Sequence, residues 1–197
     1  WEPISKDINH FKIRGSYGLV GSDAFASGAP HFLYQNNIGI FSSHNFWTGL
    51  PTSEISKKGP GFYVLAVQDA GWEHVKKFDI GFDMMLFNQL NITFDYFHDK
   101  RERILMSRAS WPSMLGYWGS KPWSNIGEVE NQGFELSLNW TKQFGKDLTL
   151  DLRGNFTYNQ NEYKYVDEPS YPYVWQTNTG KPLNTVKGYI AEGLFTS

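Results

Sequence analysis

Cysteine is absent from the 197 residues, which excludes disulfide scaffolds, thiolate metal sites and cysteine nucleophiles together. Long apolar runs are absent too. No stretch of about 18 apolar residues occurs, so no transmembrane helix is expected. Neither sign of charge is in surplus, with 18 Lys plus Arg against 20 Asp plus Glu. A surface that tracks nucleic-acid phosphates needs a clear basic excess, so no nucleic-acid partner is expected. The histidines at 10, 31, 44, 74 and 98 show no ligand-pair spacing, so no metal centre is expected. No Ser/His/Asp constellation, phosphate loop or dinucleotide glycine motif appears. The chain is therefore read as a protein that is not an enzyme and needs no cofactor. No initiator Met and no charged-then-apolar leader precedes the fold at Trp1. The expectation is a piece of a longer protein.

What is abundant is aromatic: 8 Trp, 11 Tyr and 15 Phe, 17% of the chain, at a mean hydropathy of -0.48. Many rings in a polar chain suit a membrane β-barrel, where rings sit at both lipid boundaries and the lumen stays polar.

Period-two alternation supports strands. Phe78, Ile80, Phe82, Met84 and Leu86 fall on one face, and Lys77, Asp79, Gly81 and Asp83 on the other. A tight turn at Asn88-Gln89 leads to Leu90, Ile92, Phe94 and Tyr96, which alternate with Asn91, Thr93 and Asp95. A second hairpin alternates Phe134, Leu136, Leu138 and Trp140 with Glu135, Ser137 and Asn139. It turns at Gly145-Lys146 and returns through Leu148, Leu150, Leu152, Phe156 and Tyr158. An earlier strand carries Phe11, Ile13, Tyr17 and Leu19, and less regular extended segments are expected near His31–Phe41 and Phe62–Val67. The turns are short, whereas Ser107–Asn131 and Asn161–Thr185 are long. Transmembrane barrels pair short periplasmic turns with long outer loops. On that rule Gly71–Phe87 and Asn131–Phe144 run inward, and Leu90–Met106 and Leu148–Gln160 run outward. The fold class expected is all-β and antiparallel. Alternation alone suits a soluble sandwich equally well. Strand length, charged polar faces and rings near strand ends favour the membrane barrel.

The ring-bearing face predicts lipid contact for Phe78, Phe82, Leu86, Phe94, Leu138 and Leu150. Asp79, Asp83, Asp95 and Asp151 fall on the polar face. They read as lumen lining rather than as the acid pair of a glycosidase. Trp111, Tyr117, Trp118 and Trp123 crowd one long loop, and Tyr171, Tyr173 and Trp175 the next. Such rings can stack on sugars or pack against peptide side chains. They are the ligand-binding candidates, with loop packing or contact to a partner protein as the plainer alternative.

Several motifs resemble the SusC/RagA family of TonB-linked outer-membrane proteins. Phe11-Lys12-Ile13-Arg14-Gly15-Ser16-Tyr17-Gly18 is similar to its LKLRGSYG strand, with Ser22 where Asn is usual a few residues on. Trp72-Glu73 followed by Phe78-Asp79-Ile80-Gly81-Phe82-Asp83, the hairpin through Leu86-Phe87-Asn88, Asn125-Ile126-Gly127-Glu128-Val129-Glu130-Asn131-Gln132-Gly133-Phe134-Glu135, and Gly188-Tyr189-Ile190-Ala191-Glu192-Gly193-Leu194-Phe195 follow in family order. The resemblance implies a plugged barrel of about 22 strands, of which residues 1–197 would supply about six to eight plus long outer loops. It implies a plug and a TonB box outside this chain, a SusD-like surface lipoprotein, outer-membrane lipid around the wall, and TonB-driven import of oligosaccharides or oligopeptides. The rival readings are a soluble β-sheet carbohydrate-binding module and a passive porin-like channel.

Overall fold

The computed structural model describes residues 7–23, 28, 29, 31–48, 55–67, 69–112, 114, 121–191 and 193; of side chains, it leaves out those of 41–48, 55, 56, 60 and 63. Its strands are β1 (Ile8–Ser22), β2 (Asn37–Thr48), β3 (Ile55–Val64), β4 (Glu73–Leu86), β5 (Leu90–Ser107), β6 (Trp123–Phe144) and β7 (Leu148–Tyr165). Five form one antiparallel sheet in the order β1-β4-β5-β6-β7, and β2 pairs with β3 in a separate hairpin. The all-β antiparallel expectation therefore holds. Among the described residues the sheet is open and does not close into a barrel.

The registers explain the alternation. Ile13 pairs with Phe82, Phe82 with Phe94, Phe94 with Leu136, and Leu136 with Phe156. Apolar positions along this row thus meet apolar neighbours across each pair, and a slip by one residue would bring them against a polar face. The two inner turns differ in chemistry. Phe87 and Asn88 both take positive φ, and the Gln89 N–H donates to the Leu86 carbonyl at 2.9 Å. The left-handed pair is thus Phe87-Asn88, one residue earlier than Asn88-Gln89. The second turn places Gly145 at φ 70, where glycine carries no Cβ penalty.

Two expectations shift. The segments expected near His31–Phe41 and Phe62–Val67 are strands at Asn37–Thr48 and Ile55–Val64. The long loops are shorter than expected, because β6 already begins at Trp123 and β7 continues to Tyr165. Trp123 itself pairs with Ser107 and packs beside the small buried cluster of Leu33, Val67 and Leu105. It is a strand residue and not a loop ring. In these outer ends the faces no longer separate apolar from polar residues, so the hydrophobic period disappears while the ladder continues.

A bulge breaks the β5–β6 ladder between Arg101 and Ile104, with Arg103 at φ 59. A non-glycine residue there is strained, and Asn125 holds it. Its side-chain amide donates to the carbonyls of Gly71 and Arg103, 2.9 Å each, and its oxygen accepts the Gly71 N–H at 3.1 Å. Three motif glycines leave room for neighbours. A Cβ at Gly81 would collide with Asp95 and the Phe94 carbonyl, one at Gly127 with Met106, and one at Gly133 with the Tyr158 carbonyl and the Phe97 ring.

Candidate functional site

The two faces of the sheet are chemically opposed. On one, rings run in contact across all five strands. Phe11 lies 6.1 Å from Phe82, Phe82 5.5 Å from Phe94, Phe94 6.1 Å from Phe134, and Phe134 5.7 Å from both Phe156 and Tyr158. The registers place Phe78, Phe82, Leu86, Phe94, Leu138 and Leu150 together on this face. Much of it is open: Ile13 is 67% exposed, Leu152 53% and Phe156 55%. A continuous exposed apolar surface of this extent calls for an apolar partner.

Farther from the short turns the same face changes abruptly. The row Phe78–His98–Gln132–Gln160 ends the apolar zone. Beyond it stand Lys76, Lys100, Glu102, Glu130 and Lys164. Lys76 and Lys100 lie 2.6 and 2.7 Å from Glu102, and Lys164 lies 2.9 Å from Glu130 and also pairs with Glu162. His98 is 4.0 Å from Glu130, and His74 lies near the outer end of β4.

The opposite face is mainly polar, with Phe97 among its charged groups. Arg14 of β1 reaches across β4 to β5. Its Nε lies 3.0 Å from Asp83, and its Nη2 lies 2.9 Å from Asp95 Oδ1. Gly81 stands between them, and its missing side chain makes room for Asp95. Thr93 donates its hydroxyl to Asp83 at 3.1 Å, and Thr141 donates to Asp151 at 2.5 Å. Asp79, Asp83, Asp95 and Asp151 thus share one face. Two of them share a single guanidinium, an arrangement suited to a rigid polar lining. Toward β6 and β7 the charges thin out and amides take over, with Asn131, Asn139, Asn155, Asn159 and Asn161 on the same face.

The outer loops are tied down. Asp167, 5% exposed, accepts the Ser110 N–H at 2.9 Å and its hydroxyl at 2.8 Å, with Arg108 at 3.3 Å. Burial pushes the Asp167 carboxyl up, but the Ser110 hydrogen bonds and the Arg108 charge outweigh it and leave it below its ordinary range. The next residue repeats the balance. Burial raises Glu168, and N–H groups of Asn178 (2.9 Å) and Thr179 (3.1 Å) lower it further than burial lifts it. Lys181 donates to the Trp175 carbonyl at 2.6 Å and Lys187 to the Gln176 carbonyl at 2.6 Å.

These bonds hold out a short rigid shelf. Tyr173 and Trp175 stack at 5.9 Å and 15°, exposed by 60% and 64%, at a single 3-10 turn, Val174–Gln176. Tyr171 is exposed nearby. Of the other ring candidates, Trp111 lies partly buried beside the Ser110 anchor, and Trp123 sits in β6. Tyr117 and Trp118 lie outside the described residues. The structure therefore stacks Tyr173 on Trp175 and places Trp123 in a strand. Among the described residues no cluster of His, Cys, Asp and Glu could hold a metal, and no helix is long and apolar enough to cross a membrane.

A long-stranded sheet with a ring-covered face, a charged face and anchored loops at one end defines a barrel-wall protein. The family described as TonB dependent receptor-like, beta-barrel, matches residues 5–195. The chain belongs to that family, and the SusC/RagA motifs agree with it. It is similar to two proteins of Formosa agariphila. It is 33% identical to TonB-dependent receptor P3 over 80% of this chain and 14% of that protein, and 29% identical to TonB-dependent receptor P39 over 95% and 17%. Among solved structures, the RagAB peptide importer in its open-open state superimposes with a TM-score of 0.63 at 20% identity, covering 90% of this chain and 18% of that one. The RagAB peptide transporter gives 0.56 at 21%, covering 81% and 16%. These two likenesses concern the fold. The chain spans less than a fifth of the length of each of these proteins.

Proposed function

We propose that this chain is part of the wall of an outer-membrane TonB-dependent importer for oligosaccharides or oligopeptides. The observation that carries the reading is the opposition of the two faces. The ring-bearing face, with Phe78, Phe82, Leu86, Phe94, Leu138 and Leu150, meets lipid. The Arg14–Asp83–Asp95 face lines the lumen. Lipid supplies no hydrogen bonds, so the free edges of β1 and β7 must pair with further strands of a closed barrel. That requirement, together with family membership, speaks against the soluble carbohydrate-binding module. Cargo enters from the side of the long loops, where Tyr171, Tyr173 and Trp175 make first contact. A SusD-like lipoprotein covers that side, and TonB acts through a plug outside these residues, which sets the importer apart from a passive channel.

The test is uptake by cells carrying the full-length protein. Uptake of the oligomer that supports growth should stop when TonB is deleted, and fall when Tyr173 and Trp175 are both replaced by Ala. Uptake that persists without TonB would refute the importer and leave a passive channel. A cysteine at Phe94 should react with a lipid-soluble maleimide and resist a water-soluble one, and the reverse would refute the assignment of faces.

A further inference from the structure

We propose that the outward face of the wall, just above its apolar band, holds the headgroup of a zwitterionic outer-leaflet lipid that carries a phosphate and a primary ammonium. The proposal rests on the reading above in which the ring-bearing face meets lipid, and it names the lipid at one place on that face.

Depth comes first. The apolar zone ends at the row Phe78–His98–Gln132–Gln160, and the next rung outward is Lys76–Lys100–Glu130–Glu162. One rung on the same face is two residues, about 7 Å along a strand and about 5 Å along the membrane normal at a tilt of about 40°. The pair His74–Glu102 stands one rung farther out. The polar layer on each side of the hydrocarbon core is about 5–8 Å thick. The charged rungs therefore stand among headgroups. The other end of this face is different. Among the described residues of β4–β7, Lys142 is its only charged strand residue toward the short turns, and its ammonium lies over the Phe144 ring at 5.3 Å. The charge is thus concentrated at the outer leaflet.

The signs of the charges select the headgroup. The ammonium groups of Lys76, Lys100 and Lys164 interleave with the carboxylates of Glu102, Glu128, Glu130 and Glu162. A headgroup with phosphate alone would meet more carboxylates than ammonium groups. A headgroup that carries an ammonium a few bonds from its phosphate finds a partner for each. Lysine takes the phosphate, and a carboxylate accepts the N–H groups of the ammonium, which a trimethylated nitrogen lacks. Glu128 is the most available carboxylate. It is 40% exposed, and Lys100 reaches it only at 3.6 Å, the longest lysine contact of the patch. Exposed ion pairs contribute little to stability, so a headgroup exchanges with them at small cost. Just below, Tyr17 and Phe78 pair across the ladder, 73% and 40% exposed, and offer apolar surface to the first methylenes of the acyl chains.

The experiment uses the full-length importer purified from outer membranes in detergent. It is mixed with equal amounts of phosphatidylethanolamine, phosphatidylcholine and phosphatidylglycerol of one acyl composition, and native mass spectrometry counts the lipids retained. Phosphatidylethanolamine should be retained over both others. Lys100→Gln should cut its retention about fivefold, the effect of one lysine at a membrane surface. Glu128→Gln should shift the preference toward phosphatidylglycerol. Lys142→Gln, at the other end of the face, should change nothing. All three variants should keep wild-type abundance and heat-modifiable mobility. Equal retention of the three lipids overturns the proposal, and so does a wild-type preference for phosphatidylglycerol, which would make the patch a plain anion site. Displacement of the lipid by inorganic phosphate overturns it too, because the site would then belong to free phosphate. Equal losses in Lys100→Gln and Lys142→Gln would refute the assignment to the outer leaflet. TonB-dependent uptake by the same cells keeps these failures apart from a failure of the importer reading. Uptake that remains TonB-dependent without a headgroup preference sinks the lipid site alone, and uptake that does not need TonB sinks the importer.

Discussion

Leu138→Arg should destabilise the protein by about 2–4 kcal/mol in lipid, the cost of arginine near the midplane of a transmembrane barrel. The position follows from β6. On its ring-bearing face, Trp140, Leu138, Leu136 and Phe134 lie between the polar flanks Lys142 and Gln132. Those flanks are about ten residues apart, about 34 Å along a strand rising about 3.4 Å per residue. A strand tilt of about 40° leaves about 26 Å along the membrane normal, close to the apolar band of about 25 Å that such barrels present. The midplane then falls near residue 137, with Leu138 a few ångströms from it. Gln132→Arg, at the boundary, should cost about 0–1 kcal/mol. Ser137→Arg, on the other face, meets no lipid and should cost less than Leu138→Arg. The assay is urea unfolding of the full-length protein in lipid vesicles, followed by tryptophan fluorescence. Equal losses at 132 and 138 would refute the depth assignment, and equal losses at 137 and 138 would refute the assignment of faces.

Asp167 ties the two outer loops together, and its depressed carboxyl sets the pH at which they part. The carboxylate stabilises the folded loops above the ordinary aspartate range, and that stability is lost as pH falls through the lowered folded value. Amide exchange at Ser110 should therefore stay slow at neutral pH and rise only in strong acid. Asp167→Asn should raise it at neutral pH by removing the charge from bonds worth about 1.5–3 kcal/mol; exchange identical to wild type would refute the anchor. Gly133→Val should cost about 1–3 kcal/mol by overpacking, since its side chain would meet the Tyr158 carbonyl and the Phe97 ring, and the urea midpoint of the same unfolding assay reads it. Asn125→Leu should free the strained Arg103 bulge and speed proteolysis near residue 103, without moving the urea midpoint of the lipid-embedded strands.

The middle of each wall strand was legible because only there do the two faces meet different surroundings. Phe82 and Asp83 declare opposite sides, and so do Leu138 and Asn139. Above the row of His98, Gln132 and Gln160 the distinction is lost, so Trp123–Glu130 and Asn161–Tyr165 read as loop although their backbones continue the ladder. Trp123 reads as one of a loop cluster for that reason. The Arg14–Asp83–Asp95 hub joins three strands through a register that spacing along one chain does not reveal, although the four aspartates were legible as one face. The amide row has a sequence signal, because Asn155, Asn159 and Asn161 recur at even-numbered intervals on one face of β7.

Ser22 and Glu73 are adjacent across the β1–β4 ladder, so the chain leaves the wall and returns to it at neighbouring points. The β1–β4 ladder thereby runs unbroken whatever lies between residues 23 and 72. That stretch can lengthen or shorten while every rung from Leu86 up to Glu73 stays paired, provided that Gly71 keeps its bonds to Asn125. An architecture of this kind lets selection rewrite the segment that leaves the sheet while the paired strands keep their register.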